Sequence, residues 1–239
     1  MKWIACLLAA VILGAVPGAA PAKGPVVVEL FTAQGCASCR KADRAIARMA
    51  DRPGLIVLTW AVDYWDYLGW KDTFAQPEFA ARQRAFARHL GPQDVYTPQV
   101  IVGGASQASG DDAAEVEALI RKAQHDADRH RRSRPRIRFL PRGLVRIGAA
   151  RAPGPRADVW LVRYDPREQD VTVTAGDNRG ATVAQGHVVK QVLKVGAWAG
   201  HPITIRPPPS PEEGLASVIL VQAPRGGPVL AASARPASP

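Results

Sequence analysis

Val26-Val27-Val28-Glu29-Leu30-Phe31-Thr32-Ala33-Gln34-Gly35-Cys36-Ala37-Ser38-Cys39 decides how this chain is read. Its first half is apolar and β-branched without polar alternation, which predicts a strand buried on both faces. Gly35 then opens a turn holding two cysteines, and residues 41–49 follow with Ala42, Ala45, Ile46 and Met49 at helical spacing. Sulfurs placed this way sit at a helix start, where a disulfide can close and open and the helix N-terminus favours a thiolate. Farther on, Tyr96-Thr97-Pro98-Gln99-Val100-Ile101-Val102 sets a Thr-Pro step just before another apolar strand. Only an X–Pro bond becomes cis at low cost, so Thr97-Pro98 is expected as a cis-proline loop facing the cysteines.

That order of strand, two-cysteine helix and later Thr-Pro strand predicts an α/β fold, a thioredoxin-like domain with a helical insertion and a β-rich C-terminal extension. Residues 55–60 form a second strand, entered through Pro53-Gly54, and the strand–helix–strand order implies a parallel pair. An insertion over 63–93 carries the run Tyr64-Trp65-Asp66-Tyr67-Leu68-Gly69-Trp70 and a basic helix, 77–90, with Phe79, Gln83, Phe86 and Leu90 in one stripe. A third strand over 100–102 stops at Gly103-Gly104. A helix over 113–125 follows, with Val116, Leu119, Ile120 and Ala123 on its packed face. The thioredoxin-like domain is thus expected over 23–130, with 129–138 resembling a linker. Short β-prone runs from 131 to 222 suggest a small β-sandwich or an extension packed on the first domain. Residues 223–239 are expected to be a flexible tail.

The N-terminus reads as a signal peptide. Met1-Lys2-Trp3 starts it, an apolar run covers 4–16, and Ala20-Pro21-Ala22 offers a cleavage site, so a periplasmic or secreted location is expected. Cleavage near Ala22 removes Cys6 and leaves Cys36 and Cys39 in an oxidising compartment, where a disulfide is the stable form. Lys and Arg number 31 against 21 Asp and Glu, a formal net charge of +10. An exported protein rarely meets nucleic acid, so this charge points to acidic client proteins, an anionic envelope surface or simple solubility.

The chemistry centres on the cysteines. Cys36 comes first and is expected to be the more exposed sulfur and the nucleophile, with Cys39 as the resolving thiol. The alternatives are a structural disulfide in a binding or scaffold protein, or a copper-binding pair. Zinc would want four ligands, and His89, His125, His130, His187 and His201 show no ligand spacing. No cofactor or metal is expected. Thr97 and Pro98 read as a docking loop for an extended peptide, and the partners expected are exported protein thiols or disulfides. Trp65 and Trp70 either floor a substrate groove or plug the insertion onto the sheet. Glu29 and Asp63 are candidates for a proton relay, Glu29 because a carboxylate in an apolar strand has a raised pKa.

Several runs together resemble a known family. They are Val28-Glu29-Leu30-Phe31-Thr32, Gly35-Cys36-x-x-Cys39, Ala42-Asp43, Val62-Asp63-Tyr64-Trp65-Asp66-Tyr67-Leu68-Gly69-Trp70-Lys71-Asp72 and Tyr96-Thr97-Pro98-Gln99. The family is a group of secreted bacterial proteins catalogued as domain-of-unknown-function family 1223. Gly176-Asp177-Asn178-Arg179-Gly180 and His187-Val188-Val189 look like its C-terminal part. The resemblance implies a thioredoxin-like fold and export, and it brings no assigned reaction. The family's usual turn reads Cys-Ser-Ser-Cys-Pro-Pro-Ala-Asp. Arg40 and Lys41 stand here for the two prolines, a change expected to lower the thiol pKa and shift the redox potential.

Overall fold

The computed structural model of the chain describes residues 24–91, 94–152 and 154–237. The expected leader, residues 1–22, lies outside the described residues. Every residue of β1 (Val26–Thr32) and β2 (Leu55–Ala61) is buried, as unalternating β-branched runs require. The two pair in parallel from Val26 opposite Leu55 to Thr32 opposite Ala61, with α1 (Cys39–Ala47) as the crossover. β3 (Gln99–Val102) runs antiparallel along the other edge of β1, and β4 (Ser106–Ser109) lies beyond it.

On the far side of β2 the sheet continues. β10 (Val188–Trp198) joins β2 in parallel with Val188 opposite Thr59. β7 (Ala157–Asp165), β12 (Ala216–Gln222) and β13 (Val229–Arg235) then add antiparallel, giving an eight-stranded mixed sheet of order β13-β12-β7-β10-β2-β1-β3-β4. The seam between the halves is short. Thr59 donates its N–H to the His187 carbonyl at 2.9 Å and its hydroxyl to the Gly186 carbonyl at 2.7 Å.

Side chains alternate across each strand, so the sheet has two apolar faces. Val27, Phe31, Trp60, Val162, Val218 and Leu220 point to one, where α2 (Pro77–Leu90) lays Phe79, Ala80 and Phe86. On the other, Val28, Leu30, Val57 and Val100 meet Ala42 and Ile46 of α1, and Val116 and Ile120 of α3 (Ala113–Arg129). Farther along that second face a three-stranded sheet covers Val159, Leu161 and Ile219. Its strands are β5 (Ile137–Phe139), β6 (Val145–Ile147) and β11 (Ile203–Ile205). A hairpin of β8 (Gln169–Thr172) and β9 (Thr182–Gln185) completes the fold.

α2 is fastened to the sheet by charge as well as by apolar contact. Arg82 forks onto buried Glu29 at 2.6 and 2.9 Å, reaches Gln222 of β12 at 3.2 Å, and packs over Trp60 and Phe86. Two planar N–H···O bonds satisfy both carboxylate oxygens, the arrangement in which a buried carboxylate is tolerated.

Four expectations change. The boundary near residue 130 separates no independent domain, because one sheet and one apolar cluster run through both halves. Residues 129–138 are the end of α3, a 3₁₀ turn and the start of β5 rather than a linker. The expected tail instead contains β13, whose pairing with β12 covers that strand's edge. α2, expected as part of an insertion, forms a layer of the core. The mixed α/β class holds.

Candidate functional site

β1 leads directly into the two-cysteine turn. Cys36 and Cys39 are joined in a disulfide, their Cα atoms 5.4 Å apart. The Cys36 N–H donates to the Ala33 carbonyl at 3.1 Å, and the Cys39 N–H to the Cys36 carbonyl at 3.2 Å, which starts α1 at the second sulfur. Ala37 and Ser38 are exposed, yet Cys36 is 1% and Cys39 0% exposed. The expectation that Cys36 is the more exposed sulfur is therefore corrected. The turn reaches the surface through its middle residues while both sulfurs point inward.

Three segments enclose Cys36. Thr97, beside a cis Thr97–Pro98 bond, donates its hydroxyl to Cys36 Sγ at 3.3 Å. The Trp65 indole donates to that same Thr97 oxygen at 2.7 Å, and Trp65 lies against Gly35 and stacks on exposed Tyr67. Asn178, distant in sequence, donates from one amide nitrogen to the carbonyls of Gln34 at 2.8 Å and Cys36 at 2.9 Å. Ser38 Oγ stands 3.4 Å from Cys36 Sγ. The first sulfur thus has two hydroxyl oxygens within 3.4 Å at a helix start, a setting that favours a thiolate.

Gly110 lets the Pro98 loop approach α1. Its N–H donates to the Pro98 carbonyl at 2.9 Å, and a Cβ there would fall 2.8 Å from Pro98 Cβ and 2.9 Å from Ala42 Cβ. Only glycine fits between the proline and the helix.

Beneath the turn lies a polar layer. Gln34 accepts from the Trp70 indole at 3.0 Å and from the Thr73 N–H at 3.1 Å, and donates to Gln185 at 3.2 Å. Its own N–H donates to Asp72 at 2.6 Å. Burial pushes Asp72 up to about 6 against the backbone hydrogen bonds from Gln34 and Phe74 that favour its charge. Asp43 is raised further, to about 8, chiefly by burial and then by the nearby Asp72 charge. Thr32 and Gln185 flank it and favour its charge, but the Thr32 hydroxyl, the Gln185 amide nitrogen and both Asp43 oxygens lack a hydrogen-bond partner, so desolvation prevails. Asp43 follows Cys39 by one helical turn on the same buried face of α1.

The sequence-derived candidates divide. Cys36, Cys39, Thr97, Pro98 and Trp65 meet at one place. Trp70 binds the Gln34 side of the turn, and the aromatic run seals the site rather than flooring an open groove. Glu29 is corrected as a relay candidate, since both its oxygens are held by Arg82. Asp63 is half-buried, and among the described residues its carboxylate makes no hydrogen bond. Asp43, Asp72, Gln34, Asn178 and Gly110 are not among the sequence-derived site candidates, although Asp43, Asp72 and Asn178 lie in runs that carry the family resemblance. The four-residue step from Cys39 to Asp43 was the available signal. For Asn178, which arrives through the long C-terminal half, the signal was its place in the Gly176-to-Gly180 run of the family resemblance. Among the described residues no group of three or more His, Cys, Asp or Glu side chains is placed to hold a metal ion.

The fold and site define a mixed α/β protein with a shielded disulfide at a helix start. The family model described as "Protein of unknown function (DUF1223)" matches residues 27–222, and the chain belongs to that family. It is similar to the crystal structure of protein AGR_C_4864 from Agrobacterium tumefaciens, a structural genomics target. Identity is 33% and the TM-score 0.68, over 91% of this chain and 95% of that one. HBP35 of Porphyromonas gingivalis shares the fold at 15% identity, with a TM-score of 0.60 over 90% of this chain and 76% of that one. No protein with a curated description matches the sequence.

Proposed function

We propose that this is an exported thiol–disulfide exchange protein whose redox pair is Cys36–Cys39, held in a thioredoxin-like frame. The frame is supported by the order β2-β1-β3-β4 around the β1–α1–β2 crossover, with α3 following β4. Export is supported by the charged start, apolar run and small-residue step ahead of Lys23. The observation that carries the reading is the Thr97 hydroxyl donating to Cys36 Sγ at 3.3 Å, with Ser38 Oγ opposite. A disulfide kept only for cross-linking has no use for hydroxyls aimed at one sulfur.

In the oxidising direction, a partner thiolate attacks Cys36 Sγ, the Cys36–Cys39 bond breaks, and Cys39 leaves as a thiolate that takes up a proton. A second partner thiolate then attacks the mixed disulfide and displaces Cys36, so two electrons pass from the partner to the pair. In the reducing direction Cys36 attacks a partner disulfide and Cys39 closes the pair, releasing two partner thiols. Thr97 and Ser38 stabilise the Cys36 thiolate in either case. Asp43, protonated at neutral pH, is placed on α1 to exchange a proton with the Cys39 side of the pair.

One observation favours a second reading, a scaffold with a structural disulfide: Cys36 is 1% exposed. Equilibration with glutathione buffers separates the two. An exchange pair settles between about −270 and −120 mV, and a structural disulfide below about −300 mV.

A further inference from the structure

The charge of this chain is concentrated in one segment. Residues 129–157 contain ten arginines and no Asp or Glu. Of 31 Lys and Arg, ten lie there and 21 remain elsewhere, against 21 Asp and Glu, so the whole formal surplus of +10 resides in this segment.

The fold spreads part of it on one exposed face. In the small sheet, Ile137, Phe139, Val145, Ile147, Ile203 and Ile205 turn inward onto the main sheet. The alternate positions turn outward, and they are Arg136, Arg138, Arg146, Thr204 and Arg206, all exposed. Arg138 stands directly opposite Arg146 in the ladder, and Thr204 opposite Arg146 on the other side. Like charges facing each other across a strand pair destabilise it. Here the clash has no relief, because among the described residues none of these four arginines is ion-paired. Arg206 uses its guanidinium only to donate to the Arg142 carbonyl. Adjacent strands lie about 4.8 Å apart and outward residues along a strand about 7 Å apart, so these arginines are close neighbours on one exposed face.

The same rim is where the N-terminal segment attaches. Gly24 and Pro25 line a cleft together with Arg134, Arg136 and Arg138. In sequence, the apolar run over 4–16 precedes this rim.

We propose that the outer face of the β5–β6–β11 sheet docks on an anionic lipid surface, with Arg136, Arg138, Arg146 and Arg206 contacting lipid phosphates. A face of exposed cations without ion partners, preceded in sequence by an apolar run, suits an anionic headgroup layer. Each basic residue near an anionic bilayer strengthens partitioning by about fivefold.

Full-length chain is sedimented with vesicles of phosphatidylcholine alone or mixed with phosphatidylglycerol. Binding is expected to rise with the anionic fraction and to fall with added salt. Arg138→Gln combined with Arg146→Gln should weaken binding to the mixed vesicles by at least about tenfold without loss of stability, since it removes a like-charge pair. Arg84→Gln with Arg88→Gln, the same charge change on α2 across the sheet, should leave binding unchanged. Equal binding to both vesicle types, equal loss from both double variants, or retention on heparin with no vesicle binding would each overturn the proposal.

Discussion

The Trp65 indole N–H and the Thr97 hydroxyl are joined at 2.7 Å, and that hydroxyl in turn donates to Cys36 Sγ at 3.3 Å. One side chain from the β2–α2 connection thus both orients the group that touches the sulfur and covers the sulfur from solvent. The ring that shields the disulfide is also the one that holds its hydrogen-bond donor in place.

If Trp65 is the cover, trimming it should open the disulfide. Trp65→Ala is expected to speed reduction by dithiothreitol, followed by thiol labelling, on the order of tenfold or more, because local opening no longer has to lift a packed indole. Trp65→Phe keeps the ring and removes only the donor. It should give a smaller increase, on the scale of one hydrogen bond of about 1 kcal/mol. Identical rates in all three proteins would mean that another segment limits access.

Arg82 and Glu29 offer a test of what fastens α2. Arg82→Met leaves Glu29, which is 0% exposed, without its cation. Stranding a buried charge costs about 3–5 kcal/mol, so urea unfolding should show a loss of that size. Adding Glu29→Gln should restore most of it, because the neutral amide no longer needs the cation. Two losses that simply add would show that the pair is not coupled.

Much of this architecture can be read from the sequence where local pattern and burial agree. β1 and β2 are mostly apolar, and α2 runs from Pro77 to Leu90 as its stripe predicts. Legibility fails where the partner is remote. β4, Ser106-Gln107-Ala108-Ser109, is polar because it closes the sheet's edge and buries only Ala108. β13 is made largely of alanine and serine, and its strand state comes from the waiting edge of β12. The join between the halves rests on Thr59 meeting Gly186 and Val188, residues far apart in sequence with no signature of their own. At the site, the cysteines and Thr97-Pro98 announced themselves. Glu29 misled because an acid in an apolar strand reads as a proton-relay candidate until Arg82, 53 residues later, is seen to hold it.

Asp43 ties stability to pH in a stated direction. Its folded pKa is raised from 3.8 to about 8, with burial the main cause, so between these values the folded chain holds a proton that the unfolded chain releases. Stability from this group is fully present below about pH 4. It falls as pH rises toward 8, by up to about 1.4 kcal/mol per pH unit, and levels off above that. Asp72, raised to about 6, adds to the slope in the lower half of the window. Asp43→Asn copies the protonated acid in shape and never ionises. Urea unfolding should therefore find the variant close to wild type near pH 4 and more stable by a few kcal/mol near pH 8. A variant that tracks wild type across the whole range would mean that Asp43 is already ionised in the folded protein, and the proton assigned to the Cys39 side of the pair would have to come from another group.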